Sequence, residues 1–193
     1  MTQKAVIYLI GGAPRTGKSI LAQQISAQRR IGWVSTDLLA DLLRFKRGEG
    51  PPEEGWNAAP EAIAGAAEWF YPYLERFVWG VSSMAENYLI EGVSFLPEHT
   101  VRLSAKFPIR SVFLGCSKMN LERFDRFPGR SRGYATLPTE VRSQFAQDIP
   151  QWSKFIRQEA ERFGCPYIDM SDDFLSHLRE AEALLTADLL PPV

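Results

Sequence analysis

Apolar residues fall along this chain in two alternating rhythms. The first is a continuous run, Ala5-Val6-Ile7-Tyr8-Leu9-Ile10. It lacks the every-other-residue pattern of a half-exposed strand, so it predicts a strand covered on both faces, as in a parallel sheet. Gly11-Gly12 closes it, and residues 18–30 then show apolar positions at helical spacing, with Ile20, Leu21 and Ile25 among them. A short strand over 31–35 and a helix over 37–44 follow. The Gly- and Pro-containing stretch 48–60 reads as a loop. Residues 61–86 predict a long helix, with Ile63, Ala67, Phe70, Leu74, Val78 and Val81 recurring at three and four, and Pro72 is expected to kink or divide it.

The alternation continues. Strands are predicted at 88–90, 111–114 and 166–168, and helices at 97–106, 120–127, 139–163 (with a break near Pro150) and 172–187. Pro97 suits the first turn of its helix. No internal repeat and no low-complexity tract interrupts the pattern. Strands alternating with helices imply an α/β architecture with a mainly parallel sheet. A length of 193 residues suits one domain, here residues 1–193.

Composition narrows the setting more than the chemistry. Twenty-two Lys and Arg stand against 23 Asp and Glu, so the net charge of −1 leaves no basic footprint for long nucleic acid. No apolar run reaches the ~18 residues of a membrane helix. The two cysteines, Cys116 and Cys165, are too few for a disulfide framework, and a reducing cytoplasm is the simplest compartment.

The chemistry begins at Gly12-Ala13-Pro14-Arg15-Thr16-Gly17-Lys18-Ser19, a match to GxxxxGK[ST]. Its glycines permit a backbone that turns successive N–H groups onto a β- and γ-phosphate. Lys18 adds a mobile positive charge, and the Ser19 hydroxyl can ligate Mg²⁺. The helix starting here contributes its positive dipole end. By average residue usage, chance produces such a match in about one chain in a hundred of this length. Here it also lies between a buried strand and a helix, the context the motif requires. Binding of a nucleoside triphosphate is therefore expected at residues 12–19.

Three further features point to phosphoryl transfer. Glu91 ends the strand 88–90, where a carboxylate can organise Mg²⁺ or water, although a plain strand-end charge would look the same. Asp37 follows the strand 31–35 and could accept the proton of an attacking hydroxyl; it would equally serve as a helix N-cap. Between Arg123 and Arg132, four arginines occupy ten positions around Pro128-Gly129. Arg126 and Arg130 are the candidates to stabilise charge on the transferring group, and Arg123 to contact nucleotide. Asp169, Asp172 and Asp173 could shape a base pocket, although Asp172 reads at least as well as an N-cap. His99 and His177 read as surface or capping residues, and both cysteines as inert thiols. Trp56, Asn57, Trp69 and Trp79 are weaker candidates to line an acceptor cleft, while Phe70 and Phe77 read as core.

On these residues the chain resembles the adenylate-kinase-like branch of P-loop small-molecule kinases over most of its length. Within it, the segments Gly11 to Ser19, Ser35-Thr36-Asp37 with Arg44, and Leu89-Ile90-Glu91-Gly92-Val93 with Pro97 resemble 2-phosphoglycerate kinases and zeta-toxin-type kinases. The resemblance implies a three-layer P-loop fold with a five-stranded parallel sheet in the order 2-3-1-4-5. It also implies ATP with Mg²⁺, a small-molecule acceptor facing Asp37, an acceptor anion held by Arg44, and an arginine-bearing lid. The chain departs from that pattern at Ala40 and Ser94, where those kinases often carry Arg and His. The helical acceptor-binding region would span about 45–86 and the lid about 119–160. The expected activity is transfer of the ATP γ-phosphoryl to a hydroxyl. The alternatives are a nucleoside monophosphate-type kinase with a phosphate acceptor, and a nucleotide-binding regulator without significant transfer.

Overall fold

A computed structural model of the chain describes residues 5–49, 58–126 and 132–187. Five strands form one parallel sheet: β1 (Ile7–Gly12), β2 (Gly32–Ser35), β3 (Tyr88–Glu91), β4 (Ile109–Gly115) and β5 (Tyr167–Asp169), in the order β2-β3-β1-β4-β5. The order matches the expectation. Every residue of β1 is buried, because β1 is central and helices cover both faces, which explains its unbroken apolar run.

The helices sort into two layers. On one face α1 (Lys18–Arg29) and α7 (Phe174–Thr186) pack Leu21, Ile25, Leu178 and Leu185 against Tyr8, Ile10, Leu89 and Val112. On the other, α2 (Thr36–Lys46), α3 (Pro60–Ser83), α4 (Pro97–Ser104) and α6 (Thr139–Phe163) cover Ile7, Leu9, Ile90 and Phe113. A third, smaller cluster joins α5 (Leu121–Arg126) and a 3-10 turn (Arg132–Thr136) to α6 through Phe124, Phe145, Ile149 and Tyr134. No helix among the described residues is long and apolar enough to cross a membrane.

The prolines depart from expectation. Neither Pro72 nor Pro150 ends its helix; α3 and α6 run through them for 24 and 25 residues. Phe70, Leu74 and Val78 of α3, and Ile149, Trp152 and Ile156 of α6, anchor both sides of each proline to buried clusters. That packing outweighs the lost hydrogen bond, about 3 kcal/mol in an isolated helix. The cap assignments also shift by one or two residues. Ser35, not Asp37, caps α2 by accepting the Asp37 N–H, and Asp173, not Asp172, caps α7 by accepting from Ser176. Asp37 is thereby left to present its carboxylate elsewhere.

His99 is buried rather than superficial, although it does cap a helix. Its Nδ1 accepts the Leu96 N–H at 3.1 Å, which places the ring proton on Nε2, 3.0 Å from Glu68 of α3. The ring stacks on Tyr71 at 4.9 Å, and Arg102 closes the group by binding Glu68 and lying over Tyr71. Burial holds the His99 pKa below its ordinary value of 6.5 despite the opposing pull of Glu68. A depressed folded-state pKa means that the neutral ring's contribution is present above 6.5 and is lost as pH falls through the lower folded value. Urea unfolding is therefore expected to show stability declining as pH is lowered from 7 towards 5, with His99→Gln removing part of that slope.

Candidate active site

The parallel register brings four strand ends to one edge of the sheet. Gly12 pairs with Leu114, and Ile10 with Glu91, which in turn pairs with Ser35. The phosphate-loop sequence, Glu91, and the start of α2 are therefore neighbours by topology. Beside them opens a cleft of about 730 Å³, lined by Pro14 to Ile20, Asp37, Glu91 and residues from the β4–α5 and β5–α7 connections.

The loop 12–17 has the backbone its sequence demands. Gly12, Arg15 and Gly17 all have positive φ, and Gly17, at φ 94°, is the left-handed N-cap of α1. Its positive φ favours glycine, and a Cβ there would also stand 2.7 Å from the Phe174 ring, which would have to shift. Ala13 is held by its N–H to the Leu114 carbonyl, and its own carbonyl accepts from Thr16 Oγ1 at 2.9 Å and Lys18 Nζ at 2.5 Å. The loop is an inward-turned nest whose curvature these bonds hold.

Charge is concentrated at the mouth of this nest. Burial pulls the Lys18 pKa down, while the carboxylates of Glu91 and Asp37 push it back up. Burial pushes the Glu91 carboxyl up, with Asp37 acting in the same direction; Lys18 and hydrogen bonds with Ser19 and Ser35 oppose it. Ser19 Oγ donates to Glu91 Oε1 at 3.0 Å. Ser19 and Glu91, each singled out in the sequence as a metal-shell candidate, are thus in direct contact. Asp37 is exposed at the cleft edge and close enough to act electrostatically on both Lys18 and Glu91. Ser19 and Glu91 offer hard oxygen donors side by side. Such a set fits Mg²⁺, which takes the rest of its shell from water and phosphate oxygens.

The wall opposite Asp37 is knitted from two loops. Asp169, at the end of β5, accepts from the N–H groups of Ser117 and Ser171 and from the Ser171 hydroxyl. Lys118 bonds Asp172 across the same gap. Arg123 reaches over from α5 and donates to the carbonyls of Met170, at 2.7 Å, and Ser171. Its guanidinium is thereby fixed at the wall of the cleft. Cys116 lies behind it, buried and with its thiol pKa raised by burial, in keeping with an inert role.

Arg15 contributes its backbone to the loop, and its side chain packs across to α5 and Tyr134 in the cleft wall. The guanidinium donates to the Phe124 carbonyl at 2.9 Å and sits 4.3 Å from the Phe124 ring centre and 5.5 Å from that of Tyr134. Tyr134, half-buried in the cleft wall, also feels the charge of Asp37, which raises its pKa after the larger effect of burial. Arg126 is exposed and lines the cleft, while Arg130 and Trp56 fall outside the described residues. Arg44 does not line the cleft; it lies 5.4 Å from the ring of Trp69, which Arg47 shares at 5.7 Å. Trp79 is half-exposed beneath Arg76, and Phe70 and Phe77 serve the core as expected.

Met119, Asn120, Glu122, Tyr134, Met170 and Phe174 line the cleft without having been singled out in the sequence. Met119, Asn120 and Met170 sit in connections between elements, with no periodicity to mark them, and Phe174 opens α7, where it packs partly on the core.

No protein-family model and no curated protein matches the sequence. Solved structures do. A gluconokinase from Sinorhizobium meliloti 1021 aligns over 95% of this chain and 93% of its own, with a TM-score of 0.50 and 16% identity. The protein APE1195 aligns over 97% of this chain and 98% of its own, with a TM-score of 0.51 and 14% identity. At such identities the likeness is one of fold alone.

Proposed function

We propose that the protein is an ATP- and Mg²⁺-dependent phosphotransferase that moves the γ-phosphoryl group to a hydroxyl of a small molecule. The observation that carries this reading is the convergence of Lys18, Glu91 with Ser19, and Asp37 on one cleft. The loop 12–19 would hold the β- and γ-phosphates through backbone N–H groups, with Lys18 following the transferring charge. Ser19 and Glu91 would hold Mg²⁺, which when bound neutralises phosphate charge. Asp37 would accept the acceptor's proton, and Arg126 and Arg130 would face the phosphates. Arg123 would pack against the base.

Residues 45–86 and 119–160 would carry the acceptor region and the lid. Arg44, beside Trp69, would meet an acceptor anion only at the outer rim of the cleft. The shared fold with a gluconokinase supports a small polyol or sugar acid among the acceptors to try first. The narrower resemblance to 2-phosphoglycerate and zeta-toxin-type kinases remains part of the proposal, as does a cytoplasmic setting.

The test is acceptor-stimulated ADP release with ATP and Mg²⁺ over sugars, sugar acids, nucleosides and nucleoside monophosphates. A hydroxyl acceptor that accelerates ADP formation at least about tenfold over the water background is expected. Stimulation by monophosphates alone would replace this reading with a phosphate-acceptor kinase. ATP binding with no stimulation by any compound would favour a regulator.

A further inference from the structure

The helix α2 is apolar on two faces. Leu39, Ala40 and Leu43 pack on the core. Leu38, Leu42 and Phe45, spaced four and three, form a second stripe within an arc of about 60° on the opposite side. These three are 70%, 64% and 78% exposed, the largest cluster of exposed apolar side chains on any one helix among the described residues. A stripe of this kind marks an interaction surface.

Its flanks specify the partner. Asp41 borders the stripe on one side and Lys46 on the other; both are exposed, and neither has an ion-pair partner among the described residues. With Leu38 and Phe45 as d positions and Leu42 as a, Asp41 is a g position and Lys46 the following e. In two helices packed side by side and pointing the same way, g of one lies against the next e of the other, five residues on. Asp41 of one copy would then meet Lys46 of the second, and a two-fold axis along the helices produces both pairs at once. An antiparallel arrangement would instead bring two Asp41 carboxylates together.

We propose that α2 is the contact of a parallel, two-fold homodimer of this chain. Asp37 points about 100° away from the seam, so the dimer leaves the cleft open. The patch is small beside standard interfaces, so the dimer is reversible, with dissociation in the micromolar range. This inference is independent of the proposed chemistry.

Sedimentation velocity of the full chain from about 1 to 200 µM tests it. The expected result is a concentration-dependent shift from monomer to dimer. Phe45→Glu should weaken association at least about 30-fold, removing the dimer over the accessible range. Asp41→Lys and Lys46→Asp should each weaken it about tenfold, and the double variant should recover to within about threefold of the parent. Circular dichroism melts confirm that these surface variants stay folded. A monomer throughout the range, a dimer indifferent to Phe45→Glu, or a double variant as weak as the singles would each overturn the proposal.

Discussion

Replacing Asp37 by Asn is expected to lower kcat with the true hydroxyl acceptor by about 10²–10⁴-fold, the range in which a positioned base contributes to proton transfer. The amide keeps the shape and exposure of the carboxylate at the start of α2. It cannot accept a proton, and it removes a negative charge that acts on both Lys18 and Glu91. Nucleotide affinity should change little, because the loop that would hold the phosphates is built from β1 and α1 and has its own hydrogen bonds. The diagnostic is therefore a fall in kcat with the KM for ATP within about threefold of the parent. A variant that retains turnover would remove Asp37 from the chemistry and point to an acceptor that is already ionised, such as a phosphate.

A second large effect is expected on stability. Gly12 has φ 127°, a region side chains rarely enter, and a Cβ there would stand 2.6 Å from the Leu114 nitrogen and closer still to its carbonyl oxygen. Both obstacles are backbone, and both lie between β1 and β4 at the middle of the sheet, so neither can rotate aside. Gly12→Ala should cost about 4 kcal/mol or more, lowering Tm by roughly 8–16 °C in a chain of this size. Gly48→Ala is the control. Gly48 also has positive φ, at 78°, but nothing lies within 4 Å of its missing Cβ. Its cost should be near 1 kcal/mol, the conformational part alone. Thermal melts of the two variants separate the clash from the strain.

These predictions draw on parts of the molecule that differed in how far they could be read beforehand. The buried run of β1, the phosphate-loop motif and the placement of Glu91 were legible because each is a local pattern with one structural meaning. The alternation of elements gave a mainly parallel sheet, and its strand order came from the family resemblance. Asp37 was legible as a carboxylate at a strand end but not as distinct from a cap, because Ser35 could be recognised as the cap only from its bond to the Asp37 N–H. Pro72 and Pro150 misled because local propensity was opposed by packing on both sides. Arg123 was found as a basic residue, but its anchoring to Met170 and Ser171 rests on contacts 47 and 48 positions away. His99 was read correctly as a possible cap, but its burial was missed for the same reason, since its partner Glu68 lies 31 residues back on another helix.

The contacts of Arg15 have a mechanical consequence. Its side chain pins the phosphate loop to Phe124 and Tyr134. A cation held against two aromatic rings and one carbonyl is worth about 1–2 kcal/mol, so separation of α5 from the loop is suppressed roughly 5- to 30-fold. The side of the cleft formed by α5 is thus braced directly against the loop, whereas the side formed by α2 is joined to it through a relay, Ser35 to Glu91 to Ser19.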